Sequence, residues 1–214
     1  MPIHPILFPP LPNDAIASYD WQDIASGNGY INFYPVETEG GKMLTKTTSV
    51  FATSGKLYSN VATGIDEDFD VTFTIPTTIN GKVLITLPML FSKGDTTDAI
   101  TPSSTITVYI RHWDGTTETD LGTDNVAASI VIGGAAYGSK QGMYSFALDI
   151  TKKHFAAGDT LRYTLTGTSV AGGTGAAIWI YRDPADRTAT YSYGVGGDLD
   201  TTKTTIAIPV DIDK

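Results

Sequence analysis

The 214-residue sequence contains no cysteine. That excludes disulfides, thiolate catalysis and Cys-ligated zinc together, and leaves stability to packing. Basic residues are scarce. Lys and Arg total 14 against 23 Asp and Glu, a formal charge of 14 − 23 = −9, with a pI near 4.6. A surface that binds phosphate backbones needs a basic stripe, and its absence argues against nucleic acid as a partner. Apolar runs of membrane-spanning length are also missing: the greasiest windows, Lys82–Phe91 and Ala127–Ala136, have strand length and are bounded by Gly or Pro. The first residues lack the basic start and unbroken apolar core of a secretory signal, so the expectation is a protein released without Sec export and without a membrane partner. Histidine occurs only at 4, 112 and 154, with no ligand spacing. There is no nucleophile elbow, phosphate loop or dinucleotide fingerprint, and the Gly-rich stretch 133–140 fails the phosphate-loop spacing. The expectation is therefore ordinary, partly exposed histidines, no metal, no cofactor and no enzyme.

What is present points to strands. About one residue in seven is threonine, Val, Ile and Tyr are abundant, and 22 glycines supply turns. A strand is predicted from about Tyr30 to Val36, and two more in 42–53 and 56–63 around a turn at Ser54 and Gly55. In "FDVTFTIP" Val71, Phe73 and Ile75 alternate with Thr72 and Thr74, the period of a half-buried strand. Asn80-Gly81 then reads as a hairpin turn leading into "KVLITLPML". Ile106, Val108 and Ile110 oppose Tyr109, Arg111 and Trp113 ahead of an Asp114-Gly115 turn. Tyr144, Phe146, Leu148 and Ile150 share a face, and "DTLRYTLTG" places Leu161, Tyr163 and Leu165 inward. Only "ITKKHFAAGD" looks helical, for about a turn. In "AAIWIYRDP" either Ile178 and Ile180 or Trp179 and Tyr181 face inward, and "TTIAIPVDI" closes the series. Strands recurring every 10 to 20 residues or so, without a linker or internal repeat, predict one all-β domain: a single antiparallel β-sandwich of jelly-roll type over residues 15–214. The glycine-rich stretch 168–177 suits a long loop of that sandwich.

Two features carry candidate chemistry. The carboxylates Asp66, Glu67, Asp68 and Asp70, with Asp198 and Asp200, are expected in solvated acidic turns; they lack the spacing of a calcium loop, and a glycosidase pair would need a separation that sequence does not fix. Trp113 and Trp179, with Tyr109 and Tyr181, lie on strands where one face meets solvent. They are candidate stacking surfaces for sugar rings as well as candidate core.

Residues 1–14 form an arm unlike the rest. Five of the eleven prolines fall within the first twelve residues, interleaved with Ile3, Ile6, Leu7, Phe8 and Leu11. Proline fixes φ and removes the amide donor, so an extended arm is expected whose apolar side chains need another surface to bury against.

The segments "YDWQDIASGNGYINFYPVET", "KLYSN", "FAAGDTLRYTLTG", "IWIYRDPADR" and "TTIAIPVDI" together resemble the virion structural proteins of tailed viruses of bacteria and archaea that decorate the head as β-sandwich auxiliary proteins. That resemblance implies a non-enzymatic role in the virion. Its partners would be the major capsid protein or copies of itself, in a homo-oligomer such as a trimer, assembled in the host cytoplasm. The arm residues Ile3, Ile6, Leu7, Phe8 and Leu11 would be the anchor, lying in grooves of the capsid shell or of a neighbouring copy, where the alternative is an arm packed across its own sandwich. The alternative is a carbohydrate-binding β-sandwich module.

Overall fold

The computed structural model describes residues 17–18, 28–38, 41–47, 58–94, 98–134, 137–182 and 204–211. The arm 1–14 and its five apolar side chains lie outside the described residues, as do His4, Asp198, Asp200 and most of "RDPADR". Among the described residues every regular element is a strand, and no helix is long and apolar enough to cross a membrane. The strands are β1 (Ala17–Ser18), β2 (Asn28–Thr38), β3 (Gly41–Thr45), β4 (Tyr58–Asn60), β5 (Ile65–Thr72), β6 (Thr77–Ser92), β7 (Ser103–Trp113), β8 (Glu118–Ser129), β9 (Ser139–Phe155), β10 (Thr160–Gly167), β11 (Ala177–Tyr181) and β12 (Thr205–Asp211).

The expected all-β class holds; the arrangement differs from two separate antiparallel sheets. Hydrogen bonding joins the strands in the order β4-β11-β6-β12-β2-β3-β5-β10-β7-β8, with β1 on β2 and β9 on β6. The continuity comes from β2. Its first half pairs with β12, Phe33 opposite Ile206, and its second half with β3, Tyr34 opposite Thr45. Such a strand turns a corner between sheet halves, and strict in-out alternation lapses there, with Phe33, Tyr34, Pro35 and Val36 all buried. The sheet is also mixed, since β3 meets β5 in parallel at Met43 and Asp70. From β9 through β6, β12, β2, β3, β5, β10 and β7 to β8 it curls as a half-barrel. Its two ends approach so closely that a Cβ on Gly122 of β8 would lie 3.3 Å from the Leu148 Cβ of β9.

Inside the curl lies one core. Ile106, Val108 and Ile110 of β7, Leu161, Tyr163 and Leu165 of β10, and Phe146, Leu148 and Ile150 of β9 meet Phe33, Phe69, Phe91 and Ile206 there. Each fully buried side chain of this size contributes on the order of 1.5–3 kcal/mol. The predicted alternation of β7, β9 and β10 is what this core uses.

Three local expectations are corrected. Asn80-Gly81 is not a hairpin turn: it lies within β6 as a bulge, where the register against β9 shifts between Ile79 and Gly81. Gly81 has φ +117°, and a left-handed glycine serves a bulge as readily as a turn. The reversal falls earlier: β5 ends at Thr72 and Ile75 is 69 % exposed. "ITKKHF" is not helical either; it completes β9, held in register by β6 with Phe155 opposite Thr77. Finally, "IDEDFD" is not a turn but β5 itself, with Asp66, Asp68 and Asp70 on one face and Glu67 on the other. The Asp114-Gly115 turn is as expected: the Asp114 carboxylate accepts the Thr116 and Thr117 amides at 2.8 and 2.7 Å, closing β7 onto β8.

Candidate functional site

The outward face of β5, β10, β7 and β8 gathers the polar chemistry of the described body. The ladder registers place Asp70 opposite Arg162, Arg162 opposite Arg111, and Arg111 opposite Asp120, one row across four strands. The flanking rows carry Thr72, Thr160, Trp113 and Glu118 on one side and Asp68, Thr164, Tyr109 and Thr123 on the other.

Arg162 is bidentate to Asp70, Nε to Oδ1 and Nη2 to Oδ2 both at 2.8 Å, and its Nη1 donates to Glu118 Oε1 at 2.8 Å. Arg111 donates from Nε to Asp120 Oδ1 at 2.7 Å and from Nη1 to Thr164 Oγ1 at 3.2 Å, while Glu118 Oε2 lies 3.4 Å from that same Nη1. Thr164 in turn donates its hydroxyl hydrogen bond to Asp68 Oδ1 at 2.5 Å. Glu118 thus bridges two guanidiniums that would otherwise repel. The hydrogen bonds that Arg162 donates to Asp70, followed by the Asp70 and Asp68 charges and the bond to Glu118, raise the Arg162 pKa above its ordinary value against the cost of partial burial. Each guanidinium also lies against an aromatic ring, Arg111 Cζ at 4.4 Å from the Tyr109 centroid and Arg162 Cζ at 5.9 Å from that of Trp113. Such contacts fix the ring orientation. Both rings are half-buried.

The second candidate tryptophan is elsewhere. Trp179 on β11 is 6 % exposed and packs with Leu90 and Ala177, so the structure does not bring Trp113 and Trp179 together. Near it lies a pocket of about 240 Å³ lined by Pro88, Met89, Gln141, Gly142, Met143 and Tyr181, with no carboxylate, histidine or basic group.

Two further ionic groups are internal. His112, 5 % exposed rather than partly exposed as expected, lies edge-on to Phe155, and its Nε2 meets Asp159 Oδ2 at 2.7 Å. The same carboxylate accepts the Ala156 amide at 2.9 Å. Those hydrogen bonds, His112 first, hold the Asp159 pKa below its ordinary value. His154 is exposed on β9, its Nδ1 3.1 Å from Thr78 Oγ1. Among the described residues, no group of three or more His, Asp or Glu is arranged to hold a metal ion.

The other group centres on Arg182, which opens the "RDPADR" segment that reads from sequence as a charged turn with local Asp and Arg pairing. Arg182, 1 % exposed at the end of β11, pairs with Glu37 of β2 and, at 3.5 Å, with Glu67 of β5; Lys42 of β3 donates to Glu67 at 2.9 Å. Two positive and two negative groups close a balanced tetrad over the Phe69 ring, 5.2 Å from Arg182 Cζ. Beside it, burial and then the Glu67 charge push the Tyr163 phenol up from its ordinary value.

No protein-family model matches the chain, and no curated protein does. Among solved structures it is similar to a CocE/NonD family hydrolase from Staphylococcus aureus (12 % identity, TM-score 0.48), covering 86 % of this chain and 37 % of that one. It is also similar to an alpha-amino acid ester hydrolase (10 % identity, TM-score 0.42), covering 83 % and 35 %. A third likeness is to infectious bursal disease virus, Gx strain (10 % identity, TM-score 0.24), covering 94 % and 55 %. The chain spans little more than a third of the two hydrolases' length. At these identities and TM-scores the likenesses assign no activity.

Proposed function

We propose that the chain is a non-enzymatic virion structural protein, a head decoration or auxiliary subunit held to the major capsid protein or to a neighbouring copy by the arm 1–14. The finer fold reading belongs to the same proposal: the curled sheet is a variant of the jelly-roll sandwich, as the corner strand β2 and the single core between the sheet halves support. The observation that carries the reading is where the described arginines of the body are committed. Arg111, Arg162 and Arg182 each bind carboxylates on other strands, an arrangement that stiffens a scaffold. A rigid body that adds contact area to a shell needs an attachment element, and an apolar, proline-stiffened arm loses little entropy on docking. Subunits decorating a symmetric shell follow its axes, so a homo-oligomer such as a trimer is part of the proposal.

The test is removal of residues 1–12. The truncated chain should keep its circular dichroism spectrum and melting transition yet be missing from purified particles. Full occupancy of particles by the truncated chain would overturn the anchoring role.

A second reading, a carbohydrate-binding module, is favoured by the outward placement of Tyr109 and Trp113 on β7.

A further inference from the structure

The geometry points to the outer face of β5, β10, β7 and β8 as a binding site for a neutral oligosaccharide, with Tyr109 and Trp113 as stacking surfaces and Asp120, Glu118 and Arg111 as hydrogen-bonding groups. This deepens the sugar-binding reading and is independent of where the chain sits in a particle.

Three observations carry the assignment. Tyr109, Arg111 and Trp113 are alternate residues of one strand, so the Cα atoms that carry the two rings stand about 13 Å apart, four residues at roughly 3.3 Å each, with a guanidinium between them. That separation fits a short oligosaccharide laid along β7, its apolar ring faces against the aromatics, rather than a monosaccharide. Polar capacity also remains after the ion pairs are made. A carboxylate offers about four acceptor positions; Asp120 uses one on Arg111 and its side chain is 60 % exposed, and Glu118 is 32 % exposed. Arg111 commits Nε and Nη1 within the face and keeps Nη2 as a donor. Hydroxyl groups, each donor and acceptor, match such a mixed set, and the ion pairs already hold it in place, which lowers the ordering cost of binding.

Charge then selects among glycans. Arg111 and Arg162 against Asp66, Asp68, Asp70, Glu118 and Asp120 give 2 − 5 = −3 on the face, which repels uronate, sialate or phosphorylated sugars and admits neutral ones.

Isothermal titration of the full-length chain with cellohexaose, maltohexaose and mannohexaose, beside glucose, mannose and hexagalacturonate, tests this. Binding is expected for at least one neutral hexamer, with no heat from the monosaccharides or hexagalacturonate. It should weaken by about tenfold or more in Trp113→Ala and in Tyr109→Ala. Because Trp113→Ala removes a half-buried ring, Asp120→Asn is measured alongside. That change lies at an exposed position, should leave the melting transition within a few degrees and should still weaken binding several-fold. Binding of a neutral hexamer that survives all three substitutions would overturn this face while leaving the sugar-binding reading standing. Absence of binding to every neutral hexamer would overturn both, and preference for hexagalacturonate would overturn the charge argument. Trp113→Ala that changes the oligomeric state while no hexamer binds would make the face a contact between copies and overturn the inference.

Discussion

Replacing Arg182 with Met tests the internal ion tetrad. The methionine keeps an apolar stem of similar length against Phe69 but removes the charge that Glu37 and Glu67 share. Loss of one partner from a buried ion pair costs about 3–5 kcal/mol, because the remaining charge is left desolvated. Here Glu67 keeps Lys42 at 2.9 Å, and Glu37 is 26 % exposed and regains some water, so the low end, about 3 kcal/mol, is expected. For a chain of this size that lowers the melting midpoint by roughly 6–12 °C. Urea unfolding at neutral pH reads the change directly, with an unaltered m-value expected if the unfolded state is the same. Glu37→Gln alone and combined with Arg182→Met completes a cycle whose coupling should be about 1–3 kcal/mol. Lys82→Ala supplies the contrast: its pair with Asp149 is exposed, 49 % and 84 %, and its loss should cost about 0.5 kcal/mol or less. An Arg182→Met protein within about 1 kcal/mol of the parent would refute the reasoning.

The Asp159 pKa is held below its ordinary value of 3.8 in the folded chain, so its contribution to stability is fully present above that value and is lost as pH falls through the lower folded value. Asp159→Asn should lower stability at pH 7 and flatten the acid limb of a stability–pH curve below about pH 4; an acid limb as steep as the parent's would show that this carboxylate is not responsible. Gly172 has φ +123°, and a Cβ there would fall 2.4 Å from the Thr101 carbonyl oxygen. Gly172→Ala should therefore cost about 2 kcal/mol or more in urea unfolding, whereas a neutral result would mean that the 168–176 loop shifts freely away from Thr101.

Strand identity was legible wherever one face of a strand meets the core. Ile106, Val108 and Ile110, or Phe146, Leu148 and Ile150, announce themselves because burial on one side only imposes period two. The misread places share a different cause. Gly81 signals a left-handed backbone without saying whether the chain reverses there or bulges, and only the unbroken pairing of β6 with β9 decides. The acidic run at 66–70 looked like a solvated turn because its partners are remote: Arg162 lies 92 positions from Asp70, and no local pattern announces a charge that a cross-strand arginine will neutralise. The same distance hid Arg182, whose partner Glu37 is 145 positions away. Of the candidate site, Trp113 and Tyr109 were readable as an outward pair on β7. The carboxylates and arginines around them follow only from the register of four strands. A cue did exist in "IDEDFD", where Asp66, Asp68 and Asp70 fall at period two and so share one face, with Glu67 alone turned the other way.

The central claim is that the chain is built as a structural part of a virion. Its most direct test is single-particle electron microscopy of virus particles purified from the source of the chain. The account predicts density for the curled strand body at fixed positions on the head lattice, with residues 1–14 reaching into the shell or a neighbouring copy. A complete reconstruction whose head density is fully explained by other chains, with this chain absent from the purified particle, would contradict it.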